Sequence, residues 1–126
     1  MGIFWCDLKG GPIVVTGNRI DNNGKSGIKY EICKGPGSKI SHNSVVHNGY
    51  LKKGSDLGGR VGILLQSAQS VEVTNNIVQD NRGHGIYAKD GNRQKTSGVF
   101  IHHNSMGNDS VGGCKITGVK CKANDR

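Results

Sequence analysis

The sequence predicts an all-β solenoid, a chain wound into short strands stacked coil upon coil. Three observations predict it. A Gly-Ile pair recurs at Gly2-Ile3, Gly27-Ile28, Gly62-Ile63 and Gly85-Ile86. After each comes an aliphatic alternation and then Asn-x-[Ile/Val/Met]-x-x-[Asn/Asp], in "IVVTGNRIDNNG", "SKISHNSVVHNG", "VEVTNNIVQDNRG" and "VFIHHNSMGND". Within each unit apolar and polar residues alternate over short runs, and no stretch keeps an i, i+3, i+4, i+7 stripe. That is the periodicity of strands, not of helices.

The elements follow in order. The first asparagine of each unit falls at Asn18, Asn43, Asn76 and Asn104, in steps of 25, 33 and 28 residues. A fixed motif at a variable step marks a constant unit with insertions in its loops. One unit cannot bury its apolar face alone. Stacking buries Ile20, Val45, Val78 and Met106 in one column, and Ile3 or Phe4, Ile28, Ile63 and Ile86 in another. Coils about 4.8 Å apart let stacked asparagine amides hydrogen-bond along the axis, and buried polar groups need such partners. Asn18, Asn43, Asn76 and Asn104 are therefore expected as a structural ladder. Asn23, Asn48, Asn81 and Asp109 repeat at the second polar position.

The bulk numbers fit this reading. The chain has 126 residues, enough for one modest domain. Its 33% hydrophobic and 5% aromatic content would suit a disordered chain were the apolar residues scattered, which they are not. Twenty-one glycines with 2 prolines indicate frequent tight turns rather than a flexible linker. The net charge of +8 favours an anionic partner: acidic polysaccharide, nucleic acid or anionic lipid. No nucleic-acid-binding signature is present, so nucleic acid is not the expected partner. No run is long and apolar enough to span a membrane, and "MGIFWCDLKGG" lacks the pattern of a secretory signal. Cys6, Cys33, Cys114 and Cys121 form no C-x-x-C pair, so no metal site is expected of them. Cys114 and Cys121 flank "KITGVK"; either they bridge, or all four pack as free thiols.

These units resemble the PbH1-type repeats of right-handed parallel β-helix proteins of the pectate-lyase-like superfamily. The resemblance covers nearly all of residues 2 to 109, in the run "GIFWCDL…NRIDNNGKSGIKYEI…VVHNG…VGILLQSAQSVEVTNNIVQDNRGHGI". It implies a single-stranded right-handed parallel β-helix of about four coils, an extracellular or cell-surface location and an association with carbohydrate. It does not imply an activity, because the superfamily contains lyases, hydrolases, epimerases and tailspikes.

Aligned after Gly-Ile, "FWCDL" (4–8), "IKYEI" (28–32), "ILLQS" (63–67) and "IYAKD" (86–90) share a register, with a one-residue slip in the first unit. Alternation then points Trp5, Lys29, Leu64 and Tyr87 outward in one column, and Asp7, Glu31, Gln66 and Lys89 in another. Aromatic rings beside acids suit a sugar-binding groove, since rings stack on pyranose faces and acids accept hydroxyl hydrogens. Asp7 and Glu31, stacked about 5 Å apart, form the candidate catalytic pair. Such a pair can also hold calcium, although no cofactor is required. Lys89 or Arg60 is a candidate base for a lyase, and His84 the best histidine for proton transfer. Trp5, Lys29, Gln66, Tyr87 and Arg60 are the candidate substrate-binding residues. The insertions "GYLKKGSDLGGR" and "GNRQKTSG", with Lys52, Lys53, Arg60, Arg93 and Lys95, border this strand and are expected to wall a cleft. His42 and His103, each before a ladder asparagine, are expected at the surface, and His102 packed.

The expected organisation is coils over residues 1–113 and a tail or partial cap over 114–126. The chain reads as part of a longer β-helix, whose uncapped ends would pair edge to edge with another copy. Two functions follow: a polysaccharide-degrading β-helix, lyase or glycoside hydrolase, acting through the acidic and aromatic face, or a non-catalytic structural or adhesive module.

Overall fold

The structure, a computed structural model, describes residues 2–6, 12–32, 34–50, 57–91 and 94–125. The chain forms a parallel β-helix with three strands to the coil. The first coil carries β1 (Ile3–Cys6), β2 (Val14–Thr16) and β3 (Arg19–Asp21). The second carries β4 (Ile28–Glu31), β5 (Lys34–Ser41) and β6 (Ser44–Val46). The third has β7 (Ile63–Gln66), β8 (Gln69–Thr74) and β9 (Ile77–Gln79). The fourth has β10 (Ile86–Lys89) and β11 (Ser97–His102), and the fifth β12 (Val111–Gly112) and β13 (Val119–Lys122).

Strands stack by position in the coil. The first sheet is β1-β4-β7-β10-β12, the second β2-β5-β8-β11-β13 and the third β3-β6-β9. Parallel bridges at Ser105 and Asp125 continue the third sheet into the last two coils. Five coils thus stand where the repeat motif suggested about four. The segment 119–125 adds the fifth, pairing Val119, Lys120, Cys121 and Lys122 with Val99, Phe100, Ile101 and His102. Cys114 and Cys121 form a disulfide that ties this coil across its turn.

The core is the set of inward columns. Ile20, Val45, Val78 and Met106 are all buried, as are Ile28, Ile63 and Ile86. Ile3, paired with Ile28, heads the second of these columns. Each fully buried aliphatic side chain contributes about 1.5–3 kcal/mol, so stacking supplies the stability that one coil lacks.

Two corner devices turn the chain. Ahead of each ladder asparagine, one residue adopts a left-handed conformation: Gly17, His42, Asn75, His103 and Ala123. Asn22, His47 and Asp80 do the same before Asn23, Asn48 and Asn81. Asn, Asp and His tolerate this region better than other non-glycine residues. The placing of His42, His47 and His103 therefore has a backbone reason, and all three are exposed.

The ladders themselves are hydrogen-bonded through the coil stack. The Nδ2 group of Asn43 donates to Asn76 Oδ1 at 3.0 Å, and that of Asn76 to Asn104 Oδ1 at 2.9 Å. Asn18 donates into the same line at 3.1 Å, and Asn104 carries it on to Asn124 at 2.9 Å. A second ladder runs Asn23, Asn48, Asn81, Asp109. It also explains the Gly-Ile motif. A Cβ on Gly62 would lie 2.7 Å from Asn81 Nδ2, and one on Gly27 3.0 Å from Asn48 Nδ2. The glycine clears the space that the neighbouring amide occupies.

Candidate functional site

The outer face of the first sheet is the face on which the sequence placed the chemistry. Its register corrects the first coil. Ile3, Phe4, Trp5 and Cys6 pair with Ile28, Lys29, Tyr30 and Glu31, with no one-residue slip. Position 4, not Trp5, aligns with Lys29, Leu64 and Tyr87, and position 5 lies opposite Tyr30 of the core. The column of Glu31, Gln66 and Lys89 is headed by Cys6, not Asp7. Asp7 itself lies outside the described residues. The Asp7–Glu31 pair, and the calcium site it could form, therefore fall outside the described residues. The slip arose because Ile3, Phe4, Trp5 and Cys6 are all apolar, so alternation gives them no phase.

Glu31 has a different partner. Its carboxylate lies 3.3 Å from Lys29 Nζ on the same strand, with the two side chains 18% and 23% exposed. This ion pair is sheltered from solvent, which holds both groups in place. Lys89 shares Glu31's column but stands two coils away, about 10 Å at strand spacing. His84 stacks on Tyr87 with ring centroids 5.0 Å apart, and its Nδ1 lies 2.8 Å from Ser110 Oγ. The pair sits over Gly112, where a Cβ would come within 2.7 Å of the Tyr87 ring. Tyr87 is two coils from Glu31, so among the described residues the face does not converge on one reacting point. Arg60 ends a 3-10 turn (Leu57–Arg60) at a corner, where its carbonyl accepts the Gly83 N–H. Lys52, Lys53 and Arg93, expected in the cleft walls, lie outside the described residues, and Lys95 is exposed beside β11.

A second cluster, spread too widely along the chain for the motifs to reveal, lies on the outer face of the second sheet. Pairing sets Lys39, Glu72, Phe100 and Lys120 in one column, and Ser41, Thr74, His102 and Lys122 in the next. Glu72 sits 3.5 Å from Lys39 Nζ through one oxygen and 2.5 Å from His102 Nε2 through the other. The His102 hydrogen bond, with Lys39 adding to it, holds the Glu72 carboxyl below the usual carboxylate range against the opposing effect of burial. His102 Nδ1 in turn lies 2.7 Å from His103 Nδ1. Phe100 stacks on His102 at 4.0 Å, with Lys120 Nζ 5.3 Å from its ring centre. Beside this cluster runs an open groove of about 350 Å³, lined by Pro36, Gly37, Ser70, Glu72, Gly98 and Phe100 among others.

A third group sits at the corner after the third sheet. His47 Nδ1 is 2.8 Å from Asp80 Oδ2, and Tyr50 Oη donates to Asp80 Oδ1 at 3.2 Å. The two rings stack 4.3 Å apart. The His47 and Tyr50 hydrogen bonds lower the Asp80 pKa. Burial, with Asp80's hydrogen bond and charge behind it, raises that of Tyr50. The group clips two coils together.

Residues 9–118 match a protein family described as "Periplasmic copper-binding protein (NosD)". No curated protein and no solved structure matches the chain. The described residues do not fit a copper centre: no three His, Cys, Asp or Glu side chains among them converge as ligands. The disulfide also removes the Cys114 and Cys121 thiolates that a soft metal would use.

Proposed function

This chain belongs to the NosD family, and from that premise we propose that it works as a non-catalytic β-helix module, a rigid ribbed surface that binds an extended partner. One observation carries the reading. Glu31, the candidate acid, is paired with Lys29, and the register gives it Cys6 and Gln66 as column neighbours instead of a second carboxylate. Retaining glycoside hydrolysis needs two carboxyl groups about 5–5.5 Å apart, and the described face presents one. The disulfide suits the oxidising periplasm that the family's description names. Among the described residues no helix is long and apolar enough to cross a membrane. Copper, the metal in that description, would have to draw on ligands beyond the described set. Kinship with the pectate-lyase-like superfamily rests on the repeat pattern.

A depolymerisation screen on uronate-containing and neutral glycans tests the reading, with wild type set against Glu31→Gln. The expected result is no shortening of any polymer by either protein. Chain cleavage by the wild type that Glu31→Gln abolishes would overturn the proposal in favour of a polysaccharide-degrading enzyme.

A further inference from the structure

We propose that the outer face of the second sheet is a binding site for a linear polyanion of the acidic polysaccharide class. This deepens the reading of the chain as a binding module and rests on it. Carbohydrate was expected on the first sheet, where the described residues Glu31 and Tyr87 stand two coils apart. The second sheet offers a different arrangement, built from residues 20 to 33 positions apart that only coiling brings together.

Charge sets the class of ligand. Lys39, paired with Glu72, lies on the second coil, and Lys120 and Lys122 lie on the fifth, at the two ends of a strip about 14 Å long at coil spacing. Lys120 and Lys122 are exposed, and no ion pair holds either among the described residues. Glu72 lies between these ends. Lys39 compensates its charge and His102 hydrogen-bonds its other oxygen, so it does not repel an anion passing over it. Its carboxylate remains an acceptor for hydroxyl groups. A polymer carrying both anionic groups and hydroxyls matches such a face. The uniform phosphate backbone of a nucleic acid does not, and Phe100 offers bases a poor platform because His102 already stacks on its ring.

Shape sets the direction. The groove beside the cluster crosses the second, third and fourth coils at Gly37, Ser70 and Gly98, all three at positive φ. Two of these residues have no side chain, and the third is small. The channel therefore stays open along the helix axis, parallel to the column from Lys39 to Lys120, and an extended chain can lie in it over several coils.

Binding is measured with polygalacturonate at low salt, with neutral dextran and single-stranded DNA as the other probes. Two variants of equal charge change are compared, each checked for its fold by circular dichroism. Lys120→Gln/Lys122→Gln alters the proposed face, and Arg19→Gln/Lys25→Gln removes the same charge from the third sheet and the turn after it. The first should weaken polygalacturonate binding on the order of tenfold, and the second by less than about twofold. Glu72→Ala should weaken it as well, although the change removes a negative charge, through the lost acceptor. Equal losses in the two double variants would mean diffuse attraction and overturn the site. Binding of DNA tighter than of polygalacturonate, or no binding to polygalacturonate, would overturn the ligand class. Shortening of the polymer would overturn the non-catalytic reading while leaving the mapping of the face to the variants.

Discussion

Replacing Asn76 with alanine tests the ladder at its most enclosed point. The Asn76 amide donates to Asn104 Oδ1 at 2.9 Å and to the Ile40 carbonyl at 3.0 Å. Its Oδ1 accepts the Asn43 backbone N–H and side-chain amide, both at 3.0 Å. The side chain is 1% exposed, so water cannot replace these bonds. Truncation leaves the Asn43 N–H without its acceptor and strips a donor from Ile40. Each buried polar group so orphaned costs about 1–3 kcal/mol. The expected loss is about 3–4 kcal/mol, a large part of the roughly 5–15 kcal/mol available to a domain. Asn18 is the control. It stands at the solvated head of the ladder, and Asn18→Ala should cost no more than about 1 kcal/mol. Urea unfolding followed by far-ultraviolet circular dichroism gives both numbers. Equal losses at the two positions, or a loss below 1 kcal/mol at Asn76, would refute the claim that the ladder holds the coils.

Three further predictions use the same measurement. Gly62→Ala should cost about 1–3 kcal/mol, because its Cβ would meet Asn81 Nδ2 and the Gly85 carbonyl, both at 2.7 Å; an unchanged midpoint would sink the account of the Gly-Ile motif. Cys121→Ser, opening a loop whose ends are 7 residues apart, should lower stability by roughly 2–3 kcal/mol, with hydrogen exchange rising first in the fifth coil. Asp109 and Glu72 should respond to pH with opposite signs. Burial raises the Asp109 pKa, so the folded state binds its proton more tightly than the unfolded chain, and ionisation costs stability that returns as pH falls through the folded value. Asp109→Asn should therefore stabilise the protein at neutral pH and lose that advantage in acid. Glu72, lowered by His102, contributes stability at neutral pH that is lost as pH falls through its folded value; Glu72→Gln should remove that part of the acid limb of the stability curve.

The fold was legible because a coil writes itself into the sequence at fixed offsets. Gly27, Ile28, Asn43 and Asn48 recur as Gly62, Ile63, Asn76 and Asn81, and each has one packing reason. The fifth coil was harder to read because Ser110-Val111 replaces Gly-Ile and the step to Asn124 is only 20 residues. The signal was nevertheless present: "VKCKAN" repeats the alternation and asparagine of "VFIHHN". The site was far less legible. Column membership depends on a one-residue register, and in β1 four apolar residues leave that register undetermined. The Lys39–Glu72–His102 cluster joins residues from three coils, and insertions of different length hide their alignment from any motif.

Every bond between coils runs along the helix axis, and this gives the protein a direction of weakness under tension. Pulled by its two ends, the chain loads one coil's ladder bonds and strand pairings at a time, and coils peel off in sequence. Releasing one 25-residue step lengthens the chain by roughly 80 Å. A force trace should show a series of low steps, not one high rupture. The final coil should give a shorter step, because the Cys114–Cys121 bridge keeps the loop it closes from extending. Pulled across the axis, many parallel strands would share the load and the same bonds would hold together. A β-helix built this way is compliant along its length and stiff across it.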